Sequence, residues 1–415
     1  MRIALVTTGS RGDVQPFIAL GAGLLARGHE VRLACPGDLG PLVKEAGIEF
    51  FELPGNVSDF FSHPAVVDAL RKGGSALQFS RALRKLPKPP PGTETDLFRA
   101  MRDAGDQADV VVNQSGLAHG AALTGPPIRW ATTSWKPITP TGERPAIGLP
   151  RLPLGPLYNR ATYAISNQIE WALVRPSVNR VRKSSGLPEF GFRSPLRDLG
   201  RTIPVIYPFS PEVLAPSPDW PTNTHVTGFW YWNRAKQPSP ELRAFIDAGP
   251  APVVVAMGSN WSVYRAGDLH QLVIDAVRRA GRRVVLVDGP ERDLPADAVR
   301  VHDVDYQWLL PRSAAVIHHA GLGHTADVLR AGVPHVTVPV YGDQPFWSAT
   351  VSALGVGSPP VPFSELSGDR LTAALRQALD DNGMRDRAAA LGDRIRGEQG
   401  VENACDVIER WAAKP

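Results

Sequence analysis

Two stretches of this chain put hydrogen-bonding side chains where the backbone turns from a strand into a helix. The first is Gly9-Ser10-Arg11-Gly12-Asp13, between the apolar run Ile3–Thr8 and a helix expected to carry Pro16 near its first position. Glycines let a backbone approach a ligand closely, and the free amides of a helix start attract anionic or polar groups. Asp13 suits two roles there: a general base taking a proton from an incoming hydroxyl, or a helix-capping aspartate. Arg11-Gly12-Asp13 also spells an integrin-type tripeptide, which a first strand-to-helix turn does not present.

The second stretch is His318-His319-Ala320-Gly321-Leu322-Gly323-His324-Thr325, after a strand Ala314–His318 and opening a helix Thr325–Ala331. Two glycines, side-chain donors and a helix N-terminus are what a diphosphate needs. The plain alternative is a tight turn with satisfied histidines. Gly321-x-Gly323-x-x-Ala326 also fits a dinucleotide fingerprint, with Asp343 downstream as the ribose acid, so a nicotinamide-dependent oxidoreductase competes. Against it, Asp343 and Gln344 stand inside Tyr341–Trp347, a polar and aromatic turn suited to a sugar. Gly21-x-Gly23-x-x-Ala26 matches the same pattern in mid-helix and carries nothing. Asp303-Val304-Asp305 has the form of a metal-holding pair but reads as a plain loop, since the glycine turn after it can neutralise a diphosphate. His119 and His225 read as structural, and neither zinc spacing nor a nucleophile elbow occurs.

The elements that must hold these residues alternate. Ile3–Thr8, Val31–Ala34 and Ile48–Phe51 read as strands around helices ending at Gly28 and Gly47; Val110–Val112 reads as a further core strand. A second alternation begins at Val253–Ala256 and continues through Val284–Val287, Ala314–His318 and His335–Val338. Pro87–Gly92 and Trp135–Pro150 read as long loops, and Pro204–Pro240 combines prolines with Trp220, Trp230 and Trp232.

At 415 residues the chain suggests two domains, and 43% hydrophobic with 21% charged residues fits a globular protein. A net charge of +4 without a dense basic cluster argues against a nucleic-acid partner. Arg175, Arg180, Arg182 and Lys183 read as a solvated helix face. Cys35 and Cys405 build no disulfide framework, and neither a signal-peptide core nor a membrane-length apolar run is present, so a cytoplasmic setting is expected.

Gly9-Ser10-Arg11-Gly12-Asp13-Val14-Gln15-Pro16, followed by Gly28-His29-Glu30-Val31, resembles the amino end of family 1 glycosyltransferases, above all the antibiotic (glycopeptide and polyketide) and sterol enzymes. Met257-Gly258-Ser259, the His318–Thr325 turn, Ala331-Gly332-Val333-Pro334 and Gly342–Trp347 continue the match in order. The resemblance implies an α/β GT-B fold of two Rossmann-like doubly wound domains facing across a cleft. Its expected divisions are an acceptor domain 1–215, a linker 216–240, a nucleotide-sugar domain 241–395 and a final helix 396–415 returning to the first domain.

The resemblance also implies inverting, metal-independent transfer from a nucleotide-diphosphate sugar, a co-substrate, with no resident cofactor. By position, Asp13 matches the general base, on the loop of Ser10, Arg11 and Gly12. His319, Gly321, Gly323, His324 and Thr325 match the diphosphate turn, with Ser259 closing over the same phosphates. Asp343 and Gln344 match the donor-sugar pair, and His302 to Val304 the place where the nucleobase edge is read. Trp135, the loop to Pro150 and Asp59–Pro91 are the expected acceptor walls, favouring a small, flat, apolar aglycone; a sterol at a membrane surface stays open. UDP-hexose is expected ahead of a TDP-deoxysugar, and a GT-B protein that binds nucleotide sugar without transfer is a further alternative. The family turn reads His-His-Gly-Gly-Ala-Gly-Thr-Thr, so Ala320, Leu322 and His324 are departures. Ala320 is harmless if its φ is negative, Leu322 adds bulk beside the donor, and His324 replaces a hydroxyl with an imidazole able to charge against a diphosphate.

Overall fold

The computed structural model describes residues 1–55, 63–71, 93–234, 236–258, 261, 269–289, 291 and 293–414. Ser259, the loop Pro87–Gly92 and much of the expected acceptor wall 59–91 lie outside the described residues. The chain divides into two compact units, Met1–Val57 with Lys88–Trp232 and Gln399–Pro415, and Ser58–Pro87 with Asn233–Glu398.

In the first unit, seven strands of the described residues form a parallel sheet: β1 (Arg2–Val6), β2 (Glu30–Pro36), β3 (Glu49–Leu53), β4 (Val110–Gln114), β5 (Arg129–Thr133), β6 (Val205–Tyr207) and β7 (Thr224–Val226). Their order is β3-β2-β1-β4-β5-β6-β7, and every pairing is parallel. Ile3, Leu5, Val110 and Val112 are buried, as the apolar runs of strands covered on both faces require. Strand order reverses between β1 and β4, and ligands of such sheets gather beyond the carboxyl ends at that point.

The first helix runs Arg11–Ala26, starting earlier than its proline suggests. Ser10 is its N-cap, and Asp13, at the third position, returns its carboxylate to the Ser10 N–H at 2.7 Å. Pro16 therefore falls inside the helix. The mid-helix glycines serve packing: an added Cβ would lie 2.7 Å from Ile48 Cδ1 at Gly21 and 2.4 Å from Val401 Cγ1 at Gly23. Val401 belongs to the last helix, Gly400–Ala412, which also buries Ala404, Cys405 and Ile408 in this core. Arg27 meets Asp406 at 2.6 Å and Glu409 at 2.8 Å, and Arg129 donates to Ala412 O at 2.6 Å.

Two expectations need correction here. The stretch 216–240 is not simply a linker, because β7 inside it pairs with β6 (Val205 opposite Thr224), and the first unit continues to Trp232. Arg182 is not solvated: it is buried on the long helix Gly155–Ser184, donating to Leu123 O at 2.9 Å and Pro188 O at 2.7 Å while stacking 4.2 Å from the Phe190 ring. A guanidinium with several carbonyl acceptors and an aromatic face can leave water at moderate cost.

Among the described residues the second unit holds a five-stranded parallel sheet, β8 (Val253–Ala256), β9 (Val284–Val287), β10 (Ala298–Val301), β11 (Ala315–His318) and β12 (His335–Thr337), ordered β10-β9-β8-β11-β12. Its reversal lies between β8 and β11. The helix Pro64–Arg71 belongs to this unit, with Val66 buried in its core, whereas the sequence placed 59–91 with the amino half.

Candidate active site

In the first unit the reversal point is occupied by Asp13. Oδ2 accepts the Ser10 N–H at 2.7 Å and the Ser10 hydroxyl at 3.1 Å. Oδ1 accepts Gln114 Nε2 at 2.8 Å and Trp135 Nε1 at 2.6 Å. Four donors match the roughly four lone-pair sites a carboxylate offers. Gln114 ends β4, and its own Oε1 accepts the Thr7 hydroxyl at 2.5 Å, so β1 and β4 jointly aim its amide at Asp13. Trp135, expected as an acceptor wall, has its indole fixed edge-on by Phe17 (5.8 Å) and Trp230 (6.4 Å) while its N–H holds Asp13. Gly9 is required, since a Cβ there would sit 2.1 Å from Asp13 Cγ. Ser10, Arg11 and Gly12 form the helix start; Arg11 and Gly12 are exposed.

In the second unit β8 and β11 present Gly258 and His319 side by side. A Cβ on Gly258 (φ +52) would stand 3.1 Å from His324 Cε1 and 3.4 Å from His319 Cε1, and one on Gly321 would stand 2.5 Å from His319 Nε2. The helix Leu322–Ala331 begins here with Gly321 as its N-cap, so Leu322, Gly323 and His324 form its first turn; Leu322 is buried. Among the described residues Thr325 Oγ1 is buried without a hydrogen-bond partner, and such atoms are scarce unless a ligand satisfies them. His324 Nε2 lies 3.2 Å from the Tyr306 hydroxyl, and its ring lies 4.9 Å from His319. Burial, and next the neighbouring His324, hold the His319 pKa well below the usual 6.5 against an opposing hydrogen bond to the Ala256 backbone, leaving a neutral ring.

His318 is structural. Its Nδ1 accepts the Ala320 N–H at 3.2 Å, which leaves the proton on Nε2 to donate to His335 Nδ1 at 2.9 Å. Ala320 has φ +62, so the condition for a harmless alanine is not met. A left-handed alanine costs roughly 1–2 kcal/mol. Ala320→Gly should therefore leave stability within about 1 kcal/mol of the parent, relief of strain offsetting the lost methyl and the freer unfolded chain. Ala256→Gly, in a buried strand, should destabilise outright; equal losses in urea titrations of the two variants would contradict the strain.

Asp343 caps the helix Gln344–Ala353, its Oδ2 accepting Trp347 Nε1 at 3.0 Å. Gln344 Oε1 already accepts Val340 N–H (2.8 Å) and Tyr341 N–H (3.2 Å), so this residue meets a ligand as a donor. His302 lies between Asp288 and Glu291, both 3.2 Å away, and Val304 packs beneath the sheet. The acidic pair is occupied: Asp303 binds Arg234 (3.0 Å) and Lys236 (2.8 Å), and Asp305 caps Gln307 N–H at 2.8 Å. Buried His119 lies 3.0 Å from the Thr132 hydroxyl and 3.3 Å from Glu170. Among the described residues no cluster of three His, Cys, Asp or Glu is placed to hold a metal, and no helix is long and apolar enough to cross a membrane. Cys35 and Cys405 are buried and unpaired. Gln114 and Tyr306 escaped the sequence reading; Gln114 had a signal, a polar residue ending the strand beside the reversal.

The geometry stands with clear relatives. Residues 272–402 match the C-terminal domain of erythromycin biosynthesis protein CIII-like proteins, and residues 3–94 match the glycosyltransferase family 28 N-terminal domain. The O-mycaminosyltylonolide 6-deoxyallosyltransferase of Streptomyces fradiae is 46% identical over 99% of this chain and 98% of its own length. A sterol 3-beta-glucosyltransferase of Neosartorya fischeri is 31% identical over 99% of this chain, which spans 29% of that protein. Among solved structures, the kitacinnamycin glycotransferase superposes with TM-score 0.68 at 22% identity over 99% of both chains, and VinC, solved with dTDP, with TM-score 0.66 at 16% identity over 99% of both. With two parallel doubly wound sheets and these relatives, the chain belongs to the GT-B glycosyltransferase family that includes the bacterial antibiotic and the sterol glycosyltransferases.

Proposed function

We propose that this enzyme moves a 6-deoxyhexose from a thymidine-diphosphate sugar to a hydroxyl of a macrolide-type natural product, inverting the anomeric centre. The observation that carries the donor side is the buried Thr325 Oγ1, without a partner among the described residues, beside the amides that open the helix Leu322–Ala331. A diphosphate supplies acceptor oxygens to such donors, and the helix start favours the charge that develops as the sugar–phosphate bond breaks. Thr325, His324, Gly321 and Gly323 would cradle it with the neutral His319; Asp343 and Gln344 would take sugar hydroxyls. TDP-deoxysugar replaces UDP-hexose in this reading because the 46% identical relative is named for a 6-deoxy sugar and VinC was solved with dTDP.

On the acceptor side, Asp13 is read as the base. The acceptor oxygen bonds to the anomeric carbon, the carbon–phosphate oxygen bond breaks with its electron pair going to the diphosphate, and the hydroxyl proton passes to Asp13. To reach the carboxylate the hydroxyl must displace one donor, and the Ser10 hydroxyl is the longest of the four and free to rotate.

A donor screen tests the class. TDP at about 100 Kd should raise unfolding free energy by about 2.7 kcal/mol, UDP by less and NADPH not at all. Thr325→Val should weaken TDP binding about 10-fold or more, the usual worth of a hydrogen bond to a charged group. Stabilisation by NADPH with none by TDP would return the glycine turn to the oxidoreductase reading. With a TDP-6-deoxyhexose and macrolide aglycones, a mass gain of one deoxyhexose and an inverted anomeric coupling are expected.

A further inference from the structure

The two oxygens of Asp13 are held in different ways, and the difference reaches back into the sheet. Oδ1 takes Gln114 Nε2 at 2.8 Å and Trp135 Nε1 at 2.6 Å, so side chains from β4 and from the loop after β5 fill the lone-pair sites it offers. Oδ2 takes the Ser10 N–H, fixed by the backbone, and the Ser10 hydroxyl at 3.1 Å, which turns about a single bond. An ionised carboxylate only accepts, so the Gln114 amide faces it through Nε2. Gln114 Oε1 is then held by the hydroxyl of the fully buried Thr7 at 2.5 Å. The Trp135 ring is confined between Phe17 and Trp230.

We propose that Thr7, Gln114 and Trp135 are positioning residues that close Oδ1, so that Oδ2 alone receives the acceptor's proton. This rests on the reading of Asp13 as the base, and adds which oxygen acts and which residues select it. As the acceptor oxygen bonds to the anomeric carbon, the electron pair of its O–H bond stays on that oxygen. The proton passes to Oδ2, in the seat the Ser10 hydroxyl vacates. Oδ1 then has carbonyl character, which two N–H donors still suit. The new Oδ2–H can donate to Ser10 Oγ, a hydroxyl able to change from donor to acceptor. Passing the proton on to water restores the carboxylate. Both protonation states are thus hydrogen-bonded without any rearrangement of β4.

Gln114→Met and Trp135→Phe each delete one N–H while keeping much of the side-chain bulk. Each should slow single-turnover transfer about 10-fold, the usual worth of a hydrogen bond to a charged group, with TDP affinity within about twofold. Each should also move the titration of the Asp13 carboxyl, followed by carbon-13 NMR and assigned by its loss in Asp13→Asn, upward by about one pH unit, because the deleted donor favours the charged form. The described groups that donate to Asp13 are neutral, and the exposed Arg11 nearby is the same in every variant. Thr7→Val should cost about threefold in the parent and nothing further in Gln114→Met, since it acts through that amide. An unmoved titration in both single variants would overturn the assignment, as would a Thr7→Val loss that adds in full to that of Gln114→Met. A near-normal rate for Asp13→Asn removes the base itself. An inactive Asp13→Asn beside parental rates in the Gln114 and Trp135 variants sinks only the positioning roles.

Discussion

Replacing Asp13 by asparagine is expected to lower kcat by about 10³-fold, within the range general-base removal usually costs, while TDP binding stays within about twofold. The change is nearly isosteric, so the loss reports chemistry. An amide nitrogen cannot take the hydroxyl proton, and it turns a donor toward either the Gln114 and Trp135 N–H groups or the Ser10 pair. That mismatch should cost about 1–3 kcal/mol of stability, which a melt of the same protein measures separately. Asp13→Glu is no rescue: Gly9 exists to admit an aspartate, a Cβ there standing 2.1 Å from Asp13 Cγ, and a longer acid has no room to keep all four donors. Single-turnover rates with saturating donor give the comparison, and near-normal turnover of Asp13→Asn would remove Asp13 from the base role.

Acid should loosen the second unit long before carboxylates titrate. His318, His319 and His335 are buried in or beside β11 and β12, and desolvation is the first cause holding each below its usual pKa, His335 at about 3. A group whose folded pKa is depressed adds stability above its unfolded value of about 6.5 and loses it as pH falls below that. Each ring that is held neutral in the fold but takes a proton when unfolded adds to the loss as pH falls below about 6.5. Urea midpoints should fall steeply between pH 7 and pH 5 and continue down toward pH 3. His335→Asn should flatten that slope by about one proton, since it removes one of the titrating rings. Equal midpoints at pH 7.5 and 5.0 would show that these rings are not held neutral.

Strand and helix alternation was readable because parallel strands buried on both faces must be apolar: Val253–Ala256 and Val284–Val287 declare themselves. The helix start at Arg11 was harder, since Pro16 is a louder signal than the quiet Ser10–Asp13 return bond. The left-handed turn at Ala320 was illegible, because alanine carries no mark of positive φ where the family shows glycine. Arg182 was misread because charge alone suggests solvent, and only the fold reveals the carbonyls gathered around it. For the same reason, the partners of Asp13 lie 101 and 122 residues away, and no spacing rule reaches that far.

The helix Gly400–Ala412 closes a core whose other members are made within the first few hundred residues. During synthesis, then, the first unit emerges from the ribosome with the groove beside Gly23 and Leu24 still open, and Arg27 and His29 still awaiting their acids. Only after some four hundred residues does the missing piece arrive. The amino unit is thus made first but finished last, and its apolar groove stays uncovered until the final helix arrives.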